Sequence, residues 1–219
     1  MRTRIKICGL TREADLEAAI QAGADAVGFV FYPGSKRYLA PARAAELRRR
    51  VPAFVDVVAL TVNASHADMR AILDEVGPDL LQFHGDESPE ECRLHARRYL
   101  RAFRVGAPGL ESAAALAAHC AQYGDAAGWL YDSYSAGYGG SGLAFDRALL
   151  APVQAAAAAR PVVLAGGLTP DNVAHAVRDV RPWAVDVSSG VEEGPGVKSA
   201  ARIRAFADAV RQADADLHN

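Results

Sequence analysis

Four short apolar stretches of the chain end in a residue able to do acid–base or nucleophilic chemistry. They are Lys6-Ile7-Cys8, Gln82-Phe83-His84, Leu130-Tyr131-Asp132 and Asp186-Val187-Ser188. An extended chain alternates its faces, so the first and last residues of each triplet point one way. Their neighbours Ile5 and Ile7, Leu81 and Phe83, Trp129 and Tyr131, and Val185 and Val187 point the other way. The aliphatic and aromatic face suits contact with a helix layer. The opposite face carries Cys, His, Asp or Ser at its C-terminal end. One such strand carries little weight; four predict several strands delivering chemical groups to one end of a shared sheet.

Each group has a bland reading beside the functional one. A free cysteine is most often a small buried hydrophobe, but Cys8 ends the polar face of a strand, where a thiol of lowered pKa serves as nucleophile or base. Cys92 and Cys120 fall inside helical stretches with no such company and read as structural. Asp132 either caps the loop after it or belongs to a site; a long Gly-, Ser- and Tyr-rich segment, Ser133 to Gly142, follows it and could fold over a ligand. His84 is either a satisfied loop histidine or a ligand contact. Lys6 and Asp186 both face inward on strands that become neighbours if the sheet closes, and an ion pair is the simplest fate for two buried charges.

Two late loops are glycine-rich. Gly166-Gly167 follows the seventh strand and Ser188-Ser189-Gly190 the eighth, and Gly139-Gly140-Ser141-Gly142 follows the sixth. In barrels the loops after strands seven and eight often hold a phosphate through backbone N–H groups, and glycine lets the backbone approach the anion. The loop Tyr32-Pro33-Gly34-Ser35-Lys36-Arg37-Tyr38 brings two cations to the same end. Lys36 suits a solvated basic turn, whereas the planar fork of Arg37 suits a carboxylate.

Short strands near 3–8, 25–30, 55–62, 79–83, 100–105, 128–132, 161–165 and 184–188 must position these groups. Helical stretches lie between them, near 12–22, 41–50, 65–76, 89–98, 111–121, 146–158, 171–179 and 199–212. Ser88-Pro89-Glu90-Glu91 reads as a capping box with proline at the first helical position, Ser65 stands three residues before Asp68, and Thr169-Pro170 reads as a cap. Alternation of this kind means a parallel sheet, and eight units favour closure into a single (β/α)8 TIM barrel spanning residues 1–219 over an open doubly wound sheet. No Gly-x-Gly-x-x-Gly follows the first strand, which weighs against a dinucleotide fold.

Composition narrows the partners. The 219 residues are 51% hydrophobic with a formal net charge of −2. No basic field argues for nucleic acid, and no apolar run has membrane-spanning length. Three cysteines argue against a disulfide framework, and no His/Cys cluster has zinc spacing. With no secretory segment evident, the expected compartment is the cytoplasm. The expected partner is a small phosphorylated molecule, bound by a monomer or homodimer without cofactor or metal.

The chain resembles the phosphoribosylanthranilate isomerase family, barrel enzymes of tryptophan biosynthesis. The motifs are Lys6-Ile7-Cys8-Gly9-Leu10-Thr11, Gly23-Ala24-Asp25-Ala26-Val27-Gly28-Phe29-Val30-Phe31, Ser35-Lys36-Arg37-Tyr38, Gln82-Phe83-His84-Gly85, Tyr138-Gly139-Gly140-Ser141-Gly142, Leu164-Ala165-Gly166-Gly167-Leu168 and Val185-Asp186-Val187-Ser188-Ser189-Gly190-Val191-Glu192. They span nearly the full length in the family's order. The resemblance implies an Amadori rearrangement of N-(5'-phosphoribosyl)anthranilate to 1-(2-carboxyphenylamino)-1-deoxyribulose 5-phosphate. It places the family's base on Cys8, its acid on Asp132, its carboxylate-binding arginine on Arg37 and a second barrel aspartate on Asp186. Substrate contacts are expected from His84, Gly140, Gly142, Gly166, Gly167, Ser188, Ser189 and Gly190 as well. Departures are few: Thr61 stands where an aromatic is common and is expected to alter ring packing near the site, Ser133 replaces a usual threonine, and Phe83 a common leucine. The runner-up is a histidine-pathway aminoribose phosphate isomerase, which resembles this chain in fold but has aspartate in place of Cys8. A non-catalytic phosphosugar-binding barrel is the third reading.

Overall fold

Parity decides the architecture. A computed structural model describes residues 2–134, 145–156 and 159–217. Eight parallel strands close into a barrel: β1 Arg4–Cys8, β2 Ala26–Val30, β3 Asp56–Thr61, β4 Leu80–Phe83, β5 Tyr99–Val105, β6 Gly128–Ser133, β7 Val162–Leu164 and β8 Ala184–Val187. One set of alternating residues, among them Ile5, Ile7, Leu81, Phe83, Trp129, Tyr131, Val185 and Val187, packs outward against the helices. The other set fills the barrel. Its amino-terminal half is an apolar plug of Val58, Leu80, Leu100, Ala102, Leu130, Val163 and Ala184. Above the plug lie Lys6, Gln82 and Asp186, all buried, and above them the cavity. The barrel interior is a packed core, and the cavity above it opens at the carboxyl end.

The helices are α1 Glu13–Gln21, α2 Pro41–Arg48, α3 His66–Ala71, α4 Pro89–Arg93, α5 Ala113–Ala121, α6 Leu150–Gln154, α7 Val173–Val180 and α8 Ala200–Asp216. No helix among the described residues is long and apolar enough to cross a membrane. In α8 the buried residues Ile203, Phe206, Ala207, Val210 and Ala213 follow the three-to-four spacing of one apolar stripe. At α4 the Ser88 hydroxyl accepts from the Glu91 N–H and the Glu91 carboxylate accepts from the Ser88 N–H, the expected capping box. Ser65 likewise accepts from the Asp68 N–H at the start of α3.

Several helices are shorter than the pattern predicts. Helix α4 stops at Arg93 because the chain turns at Ala96, which has a left-handed φ of 48°. Helix α6 starts at Leu150 after a 3-10 turn at Arg147–Leu149, and Pro152 falls in its first turn, where its missing N–H costs no hydrogen bond. Helix α3 gives way to a wider turn at Ile72–Val76, closed by Gly77. Thr169 does not cap α7. Asn172 instead accepts from the Thr169 N–H at 2.8 Å and donates to the Gly167 carbonyl at 2.8 Å, bracing the loop after β7. After β8 comes an unpredicted antiparallel hairpin, β9 Glu192–Gly194 with β10 Val197–Lys198.

Candidate active site

A solvent-open cavity occupies the carboxyl end of the barrel. Cys8, Arg37, His84, Asp132, Gly166, Gly167, Asp186, Ser188 and Ser189 line it, together with Gln82, Tyr32 and Ser35. Nine of the sequence-predicted residues therefore meet in one place. Gly190 does not line the cavity. It lets two loops touch: a Cβ there would sit 1.9 Å from the Leu168 carbonyl oxygen. Gly140 and Gly142 lie outside the described residues. Lys36 is exposed, as its bland reading has it. Thr61 faces away from the cavity, fully buried on the helix side of β3, so the expected effect on ring packing in the site does not arise.

Cys8 ends β1 beside Gly28, its register partner on β2. The missing side chain makes the room, since a Cβ on Gly28 would stand 2.8 Å from the Cys8 sulfur. Beneath Cys8, Lys6 Nζ lies 2.9 Å from Asp186 Oδ1, so the expected ion pair is present. Neither atom meets strict hydrogen-bond geometry among the described residues, although Asp186 and the Cys8 sulfur both lie close enough to the ammonium to help raise its pKa. Burial works against the Lys6 cation, but Asp186 and then Cys8 outweigh it and hold its pKa above the ordinary value. Burial pushes the Cys8 thiol up; Lys6 is the main opposing influence, Asp186 reinforces the rise and Lys198 opposes it. Full enclosure outweighs the neighbouring cations, so the lowered pKa on which the sequence reading made a nucleophile or base conditional is not present here. Cys92 and Cys120, both buried in helices, are pushed up to about 12 chiefly by burial, with no lysine among their neighbours.

Across the mouth, with β7 and β8 between, Asp132 ends the inward face of β6. Its Oδ1 accepts from the Ser133 N–H at 2.8 Å, and its Oδ2 lies 3.3 Å from His84 Nε2. Gln82 Nε2 lies 3.0 Å from the other His84 nitrogen, Nδ1. Gly166, with φ +79°, packs its backbone against Ser133 where a side chain would clash. The backbone N–H groups of Gly166 and Gly167 have no backbone acceptor among the described residues, so both stay available to an anion.

Arg37 carries a commitment that sequence did not reveal. Its Nε donates to Glu192 Oε1 at 2.7 Å and its Nη2 to Glu192 Oε2 at 2.8 Å. Lys198, on the same hairpin as Glu192, donates to Glu192 Oε1 at 2.8 Å and to the Ser188 carbonyl and hydroxyl at 3.0 and 3.2 Å. Burial opposes the Glu192 charge, yet the Arg37 and Lys198 hydrogen bonds hold its pKa below the ordinary value.

An inward thiol and an inward carboxyl stand on separate strands of one barrel mouth lined by glycine-rich loops. The model of the N-(5'phosphoribosyl)anthranilate (PRA) isomerase family matches residues 5–209. The chain belongs to that family. It is 69% identical over 214 residues to the N-(5'-phosphoribosyl)anthranilate isomerase of Bordetella pertussis, covering 98% of each chain. The phosphoribosyl anthranilate isomerase of Thermotoga maritima shares its fold with a TM-score of 0.86 and 38% identity, over 96% of this chain and 99% of that one. A phosphoribosyl anthranilate isomerase crystallised with reduced 1-(o-carboxyphenylamino)-1-deoxyribulose 5-phosphate matches with a TM-score of 0.83 and 35% identity, over the same shares of each chain. The TIM barrel of the family is the barrel described above.

Proposed function

We propose that this member of the family catalyses the Amadori rearrangement of N-(5'-phosphoribosyl)anthranilate in tryptophan biosynthesis, with Asp132 as acid and Cys8 as base. The observation that carries the assignment of roles is that both side chains face one cavity from opposite flanks. Family membership sets aside the histidine-pathway and non-catalytic readings. Opening the aminofuranose needs a proton on the ring oxygen, and Asp132 is the carboxyl placed to give it. The Schiff base so formed loses its C2' proton to the Cys8 sulfur, and the enolamine tautomerises to the ketone. Cys8 must shed its own proton first, and Lys6 and Lys198 are the cations that favour the loss.

The phosphate fits the loops after β7 and β8, where Gly166, Gly167, Ser188 and Ser189 line the cavity. Arg37 lines the same cavity, and its Nη1 is the donor left over for the anthranilate carboxylate once Glu192 has taken Nε and Nη2. The three buried free cysteines suit a reducing compartment, the cytoplasm.

The test is turnover, followed as loss of anthranilate fluorescence. Cys8→Ala removes the base and little volume, so kcat should fall at least roughly 10²-fold while the fold survives; Asp132→Asn should do the same with KM nearly kept. A Cys8→Ala variant holding more than roughly a tenth of wild-type turnover would be inconsistent with the base assignment.

A further inference from the structure

We propose that Gln82 is a positioning residue of this reaction, acting on Asp132 through His84. The proposal rests on the reading of Asp132 as the acid. Gln82 sits on the inward face of β4, fully buried, with its side chain against the cavity. Its Nε2 meets His84 Nδ1 at 3.0 Å, while its Oε1 is buried with no partner among the described residues. A buried glutamine with an orphaned oxygen is a poor structural choice, since an apolar side chain of that size would avoid the unmet acceptor. The residue is therefore held for its N–H.

What that N–H does follows from the inventory of donors and acceptors. A neutral imidazole has one N–H and one lone pair. A Gln82 N–H directed at Nδ1 requires the lone pair to be there, so the His84 proton is on Nε2. Nε2 faces Asp132 Oδ2 at 3.3 Å, and the Ser133 N–H holds Oδ1. Gln82 thus fixes the tautomer in which His84 donates to the carboxyl group. With the Ser133 N–H on one oxygen and His84 Nε2 within 3.3 Å of the other, the carboxylate left after proton transfer has a donor within reach on each side. The other tautomer would present a lone pair to that carboxylate and repel it.

Two measurements test this. The first needs no variant: ¹⁵N NMR of His84 in the free wild-type protein at neutral pH should show Nε2 protonated and Nδ1 bare, and a protonated Nδ1 would overturn the proposal. The second is a double-mutant cycle with Gln82→Met, which keeps the size and removes the N–H. Gln82→Met should lower kcat roughly tenfold, part of the 10²–10⁴ that a positioned acid contributes, with KM nearly unchanged. In a His84→Ala background the same substitution should cost nothing further, because its effect passes through the ring. An equal loss in both backgrounds would assign Gln82 to the scaffold alone. Asp132→Asn separates the two readings. If it keeps its activity the acid assignment is at fault; if it is inactive while Gln82→Met is unimpaired, only the role of Gln82 falls.

Discussion

Two of the buried ion pairs among the described residues are built differently. Arg101 and Glu87 meet at 3.1 Å on the helix side of the sheet, both buried. Arg101 also donates to the carbonyls of Phe83 and Gly85 at 3.0 Å each, and Glu87 accepts from the N–H groups of Asn63 and Gly85. Tyr123 lies against the guanidinium, 4.9 Å from its ring centre. Lys6 and Asp186, inside the barrel, have each other at 2.9 Å and no such surroundings. A buried pair offsets its desolvation only when further hydrogen bonds satisfy it. Arg101–Glu87 meets that condition at every group but the buried Arg101 Nε, which has no partner among the described residues, and ties the β4 loop to β5. Lys6–Asp186 does not, and its unsatisfied charge lies beside the Cys8 thiol. A pair largely saturated by hydrogen bonds holds shape, whereas an unsaturated one keeps its field for a neighbour.

Breaking the unsaturated pair should have the larger consequence. Lys6→Met leaves the Asp186 carboxylate buried and alone, which costs about 3–5 kcal/mol. It also removes the main influence opposing the rise of the Cys8 pKa. The sign follows: the thiol titrates higher still, the thiolate fraction at any given pH falls, and the low-pH limb of kcat/KM moves to higher pH. Each unit of that movement is worth about tenfold at neutral pH. Adding Asp186→Asn should recover much of the stability, because no lone charge then remains. A pH–rate profile that stays where it was in Lys6→Met would show that the field does not reach the thiol.

Breaking the saturated pair sharpens the contrast. Arg101→Met should destabilise by a similar amount, about 3–5 kcal/mol, seen in a denaturant titration. Its effect on kcat in the folded protein should be well below that of Lys6→Met. Arg101 meets the site only through the backbone carbonyls on either side of His84. A kinetic loss as large as that of Lys6→Met would erase the distinction between the two pairs.

Which of these features the sequence could show depends on whether they follow from local pattern. The alternation of Lys6, Cys8, Gln82, His84, Asp132 and Asp186 with apolar residues is a property of single strands, so the inward set and the Lys6–Asp186 pair were legible once closure of eight strands was assumed. The Arg37–Glu192–Lys198 network was not. Its members are far apart in the chain, and the hairpin carrying two of them has strands of only three and two residues, too short for any periodicity. The direction of the Cys8 shift was not legible for a related reason: proximity of a lysine can be guessed from parity, but the degree of enclosure by Gly28 and the loops is a property of the assembled barrel. Thr61 shows the same parity rule neglected, since its place next to inward Leu60 already assigns it to the outer face.

The smallest expected effect belongs to Arg37, which stands between the two kinds of pair. Like Arg101 it is tied to a carboxylate; like Asp186 it borders the cavity. Arg37→Lys keeps the cation and one bond to Glu192 but loses the planar fork, so the carboxylate of Glu192 and that of the substrate compete for a single ammonium. KM should rise by roughly 3–10-fold, about the worth of one partly exposed charge-assisted hydrogen bond, with kcat little changed. Stability supplies the second readout. The Glu192 pKa is held below its ordinary value, so its contribution is present above the ordinary carboxylate range and is lost as pH falls through the lowered value. A substitution that weakens the Arg37 bonds should shrink that acid-side loss, visible as a smaller drop in Tm between neutral and acid pH. An unchanged KM together with a shrunken acid-side drop would make Arg37 an anchor for the hairpin, a third scaffold pair of the Arg101 kind, and would leave the substrate carboxylate to another donor in the mouth.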